Sequence, residues 1–143
     1  MAERAGPLTG VRAVTCSTAQ AGTVPYMMMA DLGAEVIKIE VPGVGDGSRT
    51  AGELRGEISS FFETNNRGVK SITLDLKSEE GQKILHRLIE TADIFGQNFR
   101  PGAAEKNGFG YEELKKINPK LVYVSVSGYG QRGPHSDLPG TDA

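Results

Sequence analysis

The 143-residue chain has few of the residue types that mark several common classes of protein. Cys16 is its single cysteine, so the sequence predicts no intrachain disulfide and no cysteine-based metal site. Its two histidines, His86 and His135, lack the neighbours that a metal site or an acid–base pair requires. Because Cys16 lies in an apolar, strand-like run, we interpret it as a buried hydrophobic residue and not as a nucleophile.

Long apolar segments and runs of like charge are also missing. The most apolar stretch, 24–30, is far shorter than the roughly 20 residues that a membrane-spanning helix needs, and the first seven residues lack the apolar core of a signal peptide. The net charge of -2 arises from interspersed signs, without the basic stripe of a nucleic-acid surface. We therefore expect a cytoplasmic protein that binds neither membrane nor nucleic acid and has a small-molecule partner.

Short segments rich in Val and Ile alternate with helical segments along the chain. Strands are predicted at 11–16, 35–40, 69–76, 93–98 and 121–127. Helices are predicted at 26–33, 78–90 and 111–117, with Gly33 ending the first and Ser78 capping the second. This alternation indicates an α/β fold, which we expect to be a Rossmann-like open parallel sheet with flanking helices. The loop-like end, without a closing element, predicts a sheet that is incomplete without C-terminal sequence.

Two glycine clusters resemble nucleotide-binding motifs without fulfilling them. Gly128–Gly133 has the spacing G-x-G-x-x-G after a predicted strand, but Pro134 and Pro139 exclude the helix that a dinucleotide site needs. Gly43–Gly47 is followed by neither a helical pattern nor the Lys-Ser or Lys-Thr of a P-loop, so we interpret it as a flexible loop. It lies in a polar stretch, 41–67, whose length is typical of a loop that serves a binding site or packs on a partner.

The ends of the predicted strands carry the groups that favour a ligand site. Open parallel sheets bind their ligands beyond the C-terminal ends of their strands. Amide, cationic and aromatic groups follow the strands here, in the segments Thr18–Gly22, Leu74–Lys77, Asn98–Gly102 and Ser127–Gly130. Such groups suit an extended ligand with phosphates, a flat ring and amide links. The alternative is that Asn98 and Arg100 only cap turns, and the residues alone leave both interpretations open.

A set of motifs runs in order through nearly the whole chain. They occupy the segments 7–14, 31–40, 66–72, 74–77, 80–81, 92–94, 98–102, 117–119 and 127–134. In these segments the chain resembles the family III CoA-transferases, a group that includes formyl-CoA and carnitine CoA-transferases and α-methylacyl-CoA racemases. Taken together, the motifs are highly specific for that family.

The resemblance implies transfer of coenzyme A from an acyl-CoA to a carboxylic acid through an enzyme aspartyl intermediate, with coenzyme A as substrate and no cofactor. It implies that residues 1–143 are the N-terminal part of a CoA-binding large domain, without its small domain, and that two chains form an interlocked homodimer or pair with a related subunit. The nucleophilic aspartate is expected beyond Ala143, and Asp142 is not assigned that role. A non-catalytic CoA-binding module or subunit is the alternative, and Thr141, where racemases have a histidine, disfavours a racemase.

Site residues are implied by position. The residues that match CoA-contacting positions of the family are Ala19, Gln20, Ala21, Leu74, Lys77, Asn98, Phe99, Arg100, Lys106 and Tyr129. Gln20 is expected to reach toward the reacting centre, and no metal ligand is expected. One departure concerns Val41, which stands where many members have an arginine that holds the adenosine end of the ligand. We expect Lys38 or Lys77 to share that contact.

Overall fold

The computed structural model describes residues 5–140. In chain order its elements are β1 (Arg12–Thr15), α1 (Ala19–Asp31), β2 (Glu35–Glu40), a 3-10 turn (Gly47–Thr50), β3 (Leu54–Arg55), β4 (Ile58–Ser59), α2 (Ser60–Asn66), β5 (Lys70–Thr73), α3 (Glu79–Ile89), β6 (Ile94–Gln97), α4 (Ala103–Lys106), α5 (Tyr111–Ile117) and β7 (Val122–Ser125). Within this part of the chain no helix is both long enough and apolar enough to cross a membrane.

The five predicted strands are all present and form one parallel sheet in the order β5-β2-β1-β6-β7. Strand β1 lies at the centre, where Val14 is opposite Ile37 on one side and Phe95 on the other. The chain builds outward from β1 through β2 and β5, and then crosses to the other side for β6 and β7. The predicted α/β fold with an open parallel sheet and flanking helices is confirmed.

Helices cover both faces of the sheet. Successive strand residues point to opposite faces, so Val14 packs in a core with Leu85 and Ile89 of α3. Its neighbour Ala13 packs in a second core with Tyr26 of α1. A parallel sheet buried on both faces explains why the strands are apolar at consecutive positions.

The predicted caps of the helices agree with the structure. Ser78 caps α3, with its Oγ accepting a hydrogen bond from the Gly81 N–H at 3.0 Å, and α5 spans the predicted residues. Helix α1 begins earlier than predicted and contains Pro25. A proline removes one helical hydrogen bond, which is why the pattern predicted a helix only beyond it. Gly33 follows the end of α1 with a φ of 98°.

Gly43–Gly47, interpreted from the sequence as a flexible loop, lies in turns that lead into the 3-10 turn, and the stretch 41–67 contains more regular structure than predicted. It contains the 3-10 turn, the β3–β4 hairpin and helix α2. Ser59 caps α2, accepting from the Phe62 N–H at 3.1 Å, and the side chain of Asp46 is buried. Hydrogen bonds of polar side chains hold the segment in place. Because these side chains are polar, the sequence shows no apolar periodicity from which the elements could be predicted.

Candidate functional site

A cleft of about 490 Å³ opens at the C-terminal ends of β1, β2, β5 and β6. Its walls are mostly apolar and include Ile39, Val41, Pro42, Leu74, Phe99 and Phe109. The cleft lies beside β1, where the direction of strand addition reverses. This switch point is where open parallel sheets leave room for a ligand between diverging connections.

Lys77 is the only cation among the described residues that line the cleft. It is exposed, and its turn is fixed because Asp75 Oδ1 accepts the Lys77 N–H at 2.9 Å. The other charged lining residues are the carboxylates of Glu40, Asp46 and Asp75. The positive charge that attracts an anionic ligand to this cleft would therefore come from Lys77 at its rim.

Two buried carboxylates form the polar floor beside the cleft. Glu40 accepts two hydrogen bonds of 2.7 Å from Arg49 and one of 2.5 Å from Ser71. The Arg49 hydrogen bonds are the main cause that lowers the pKa of Glu40 to about 2. Burial would raise the pKa of Asp46, but hydrogen bonds from Lys38 and Ser48 outweigh it and hold that pKa below its ordinary value. Both groups are carboxylates at neutral pH.

Lys38 is not available to hold the adenosine end of a ligand. The residue is 1% exposed, and its side chain donates to Asn66 Oδ1 at 2.8 Å and pairs with Asp46. Of the two cations expected to compensate for Val41, only Lys77 lies at the cleft surface. Val41 itself lines the cleft and is 58% exposed.

The turn between β1 and α1 is held by Asn98. Asn98 Oδ1 accepts the Thr18 N–H at 2.9 Å, and its Nδ2 donates to the Thr18 carbonyl at 2.8 Å. The structure thus places Asn98 in the turn-capping role that was one of the two alternatives. Its direct contact with a ligand stays a prediction.

The structure brings together some of the predicted site residues. Leu74, Lys77 and Phe99 line the large cleft. Asn98 and Arg100 line a neighbouring cavity of about 170 Å³, which Phe99 shares. The remaining predicted residues line neither space: Ala19, Gln20 and Ala21 are exposed at the start of α1, Lys106 is exposed in α4, and the ring of exposed Tyr129 lies 6.2 Å from that of His135.

The lining residues that sequence reasoning did not assign to the site include Asp46, Asn107 and Phe109. The available sequence signal for Asp46 was the glycine before it, Gly45, which has a φ of 69° in the structure. Asn107 and Phe109 lie in the link between α4 and α5. Cys16 also lines the cleft but is buried, as expected, and burial raises the pKa of its thiol to about 12. A protonated, buried thiol is a poor nucleophile.

Two further features complete the description. No group of three or more His, Cys, Asp or Glu side chains suited to a metal ion occurs within residues 5–140. Thr141 and Asp142, on which the distinction from a racemase and the position of the nucleophile depend, lie outside the described residues.

The fold and the cleft define an α/β protein with a ligand-sized site at the switch point of its sheet. The family description "CoA-transferase family III" matches residues 8–143. Acetyl-CoA:oxalate CoA-transferase of Acetobacter aceti is 44% identical over 137 residues, which is 96% of this chain and 35% of that protein. The chain belongs to CoA-transferase family III.

Other similar proteins agree in sequence and structure. The beta subunit of succinyl-CoA–L-malate CoA-transferase of Chloroflexus aurantiacus is 39% identical over 136 residues, 94% of this chain and 33% of that protein. A crystal structure of a CAIB/BAIF family protein from Brucella suis has a TM-score of 0.90 at 40% identity, covering 97% of this chain and 38% of the other. The chain thus spans about a third of the length of these curated relatives.

Proposed function

We propose that the chain provides the CoA-binding part of an enzyme that transfers coenzyme A from an acyl-CoA to a carboxylic acid. The observation that carries the proposal is the cleft at the strand ends, which gathers Leu74, Lys77 and Phe99 around one space. All three match positions that contact CoA in the family. Relatives named as CoA-transferases for oxalate and L-malate support the same reaction class.

The cleft suits a ligand such as coenzyme A in size and polarity. Its volume of about 490 Å³ lies in the range of small-molecule sites, which are mostly apolar with a few placed polar groups. Leu74 and Phe99 offer apolar contact to a flat ring or a methylene chain, and Lys77 offers an ammonium group to a phosphate. The chain would hold and orient the thioester by these contacts.

The covalent chemistry is assigned to an aspartate downstream of Ala143. In the family's reaction, an oxygen of the aspartate carboxylate attacks the thioester carbonyl and the C–S bond breaks. CoA leaves as its thiolate, and the aspartate and the acyl group remain joined as a mixed anhydride. The thiolate then attacks the aspartyl carbonyl of that anhydride, which releases the donor acid as its carboxylate and leaves an aspartyl-CoA thioester. The carboxylate of the second acid attacks this thioester and again releases CoA thiolate, which attacks the acyl carbonyl of the new anhydride to form the new acyl-CoA and free the aspartate. Within the chain, Gln20 is proposed to position the reacting group, and buried Cys16 takes no part.

Titration calorimetry of the 143-residue chain with coenzyme A tests the binding half of the proposal. Gln20→Ala and Lys77→Ala are expected to weaken binding, whereas Lys116→Ala, an exposed cation of α5, serves as a matched control. Absence of CoA binding to the unaltered chain would overturn the proposal. Exchange of CoA between two acids catalysed by this chain would instead show that its nucleophile lies within residues 1–143.

The arrangement of the whole protein belongs to the same proposal. Residues 1–143 would form the N-terminal part of a Rossmann-like large domain in a cytoplasmic enzyme, with chains paired as an interlocked homodimer or with a related subunit. The relative named as a beta subunit supports pairing with a related subunit. The second candidate function is a non-catalytic CoA-binding subunit that works with another chain. Co-expression with a longer family member, followed by sedimentation analysis, distinguishes a heteromer from a homodimer.

A further inference from the structure

The turn between β1 and α1 contains a residue in an unfavourable backbone conformation. Ala19 has a φ of 56° and is the only non-glycine residue with positive φ in the range 5–140. L-residues with a side chain rarely adopt this conformation and keep it where surrounding contacts impose it, often at binding sites. Thr18, which precedes Ala19, lines the cleft. What imposes the turn therefore affects the site.

Asp46 faces this turn from the segment after β2. Its Oδ1 lies 3.4 Å from the Ala19 backbone nitrogen, which donates to it, and also accepts from the N–H and hydroxyl of Ser48 at 2.9 and 2.8 Å. Its Oδ2 accepts from Lys38. The contact to Ala19 is long for a hydrogen bond, but Asp46 is 1% exposed and its carboxylate has partners on both oxygens. Its position is therefore fixed.

The backbone of Asp46 is fixed as well. Its N–H donates to Glu40 Oε2 at 2.8 Å, and Glu40 is held in turn by Arg49 and Ser71. Gly45 precedes it with a φ of 69°, and a Cβ at that position would lie 2.9 Å from Glu40 Oε2. The contacts thus run without a break from strand β2 to the turn at Ala19.

Stability alone does not account for this arrangement. A buried ion pair such as Lys38–Asp46 loses so much hydration that apolar replacements of both partners are often neutral or stabilising. What apolar side chains cannot do is direct a charged acceptor at one backbone N–H. We propose that Asp46 is a positioning residue that keeps Ala19 in its left-handed conformation and so sets the orientation of Gln20 and the first turn of α1 relative to the cleft.

Two matched double variants test this assignment. Lys38→Met/Asp46→Asn and Lys38→Met/Asp46→Leu both remove the buried charges, but only the first keeps an oxygen that can face Ala19. The readouts are the ¹⁵N heteronuclear NOE and chemical shift of the Ala19 and Gln20 amides, the Kd for coenzyme A, and the melting temperature. At similar melting temperatures, the Leu pair is expected to lose amide order and to bind CoA about tenfold more weakly than the Asn pair.

A change at position 19 separates positioning from general support of the fold. Glycine adopts positive φ without steric cost, so adding Ala19→Gly to the Leu pair is expected to recover part of the lost affinity. If Asp46 only stabilised the fold, this addition would recover nothing. Wild-type amide order and affinity in the Leu pair, or absence of rescue by Ala19→Gly, would overturn the assignment.

The test also covers two other outcomes. The affinity readout rests on the proposed function; if the unaltered chain does not bind CoA, that function fails, while the NMR comparison still decides the role of Asp46. If the Leu pair does not fold, Asp46→Glu replaces it, since it keeps the charge but displaces the carboxylate by one methylene. Asp46→Glu is then expected to change the Ala19 and Gln20 amides, and unchanged amides would overturn the assignment.

Discussion

Asn98 brackets the backbone of Thr18, accepting from its N–H at 2.9 Å and donating to its carbonyl at 2.8 Å, although the two residues are 80 positions apart. The bracket joins the end of β6 to the end of β1 beyond the last sheet pairing. Gly22 lies directly against it, since a Cβ there would be 2.6 Å from Asn98 Nδ2 and 2.8 Å from the Ser17 Cβ. The first turn of α1 thus packs directly against the hydrogen-bonded pair of Asn98 and Thr18.

Gly22→Ala is expected to lower the free energy of unfolding by about 1–3 kcal/mol, because the added methyl group displaces Asn98 or Ser17. The effect is opposite to helix propensity, which favours alanine over glycine by about 1 kcal/mol. Urea unfolding measures it. Gly47→Ala is the control, since a Cβ at Gly47 meets no atom within 4 Å, and its change is expected to stay within about 0.5 kcal/mol. Equal effects of both substitutions would show that the bracket tolerates a larger residue.

Lys77→Gln is expected to raise the Kd for coenzyme A about three- to tenfold. The substitution removes the positive charge at the cleft wall that would form a partly exposed ion pair with a phosphate of the ligand. The difference from wild type should shrink as salt is added, since salt screens exposed charges. Calorimetry at low and high ionic strength measures both effects. Lys116→Gln controls for the loss of one positive charge, and an identical change in both variants would remove Lys77 from the site.

Glu40 is expected to make stability depend on pH in the acid range. Hydrogen bonds from Arg49 lower its folded-state pKa from 4.5 to about 2, so the carboxylate is favoured by folding. That contribution is complete above pH 4.5 and is lost as the pH falls toward 2, and it is on the order of 3 kcal/mol. Urea unfolding at a series of pH values from 6 to 2 measures the slope.

The matched variants for this pH dependence are Glu40→Gln and Glu90→Gln. Glu40→Gln is expected to be less stable at neutral pH and to have a shallower decline in acid. Glu90→Gln, at an exposed position after α3, controls for the loss of one carboxylate. Some decline remains in Glu40→Gln, because Glu35, whose pKa is lowered by Lys70 and Arg12, and Asp46 also favour the charged form when folded. A slope unchanged from wild type would contradict the assignment to Glu40.

Strand β7 is expected to promote association between copies of the 143-residue chain. It is the last strand in the sheet order, and Val122 on it is 57% exposed. Unpaired edges with apolar side chains template pairing with other chains, and a lysine on the edge opposes it. Val122→Lys should therefore reduce self-association in sedimentation experiments, whereas Val44→Lys, at a 73% exposed loop position, should not. A wild-type chain that stays monomeric at high concentration would contradict the prediction.

The sequence predicted the sheet well because burial on both faces makes its strands apolar at consecutive positions. Helix α3 was equally clear, with Ser78 and its apolar stripe as local signals. The start of α1 was missed because Pro25 interrupts the local pattern, while the packing of Tyr26 against the sheet, which stabilises the helix, is a long-range contact. Helices and strands could thus be predicted wherever their own residues form a helical or strand pattern.

The site was predicted less completely. Strand ends and family resemblance indicated Leu74, Lys77 and Phe99, which do lie at the cleft. Asp46 was predicted to lie in a flexible loop. Its burial depends on a contact with Lys38, and the sequence of strand β2 does not indicate that the lysine side chain is buried. Polar groups that are buried with partners far along the chain cannot be recognised from periodicity.

The central place of β1 has a consequence for synthesis of the chain. On a ribosome, β1 can pair with β2 soon after both emerge, but its other neighbour follows much later: Gly96, to which the Thr15 hydroxyl donates, lies 81 positions downstream. At about 5–20 residues per second, that delay lasts several seconds. One wall of the cleft is therefore synthesised several seconds before the other, and a ligand of the cleft can stabilise the nascent chain only once the segment that carries Phe99 has emerged.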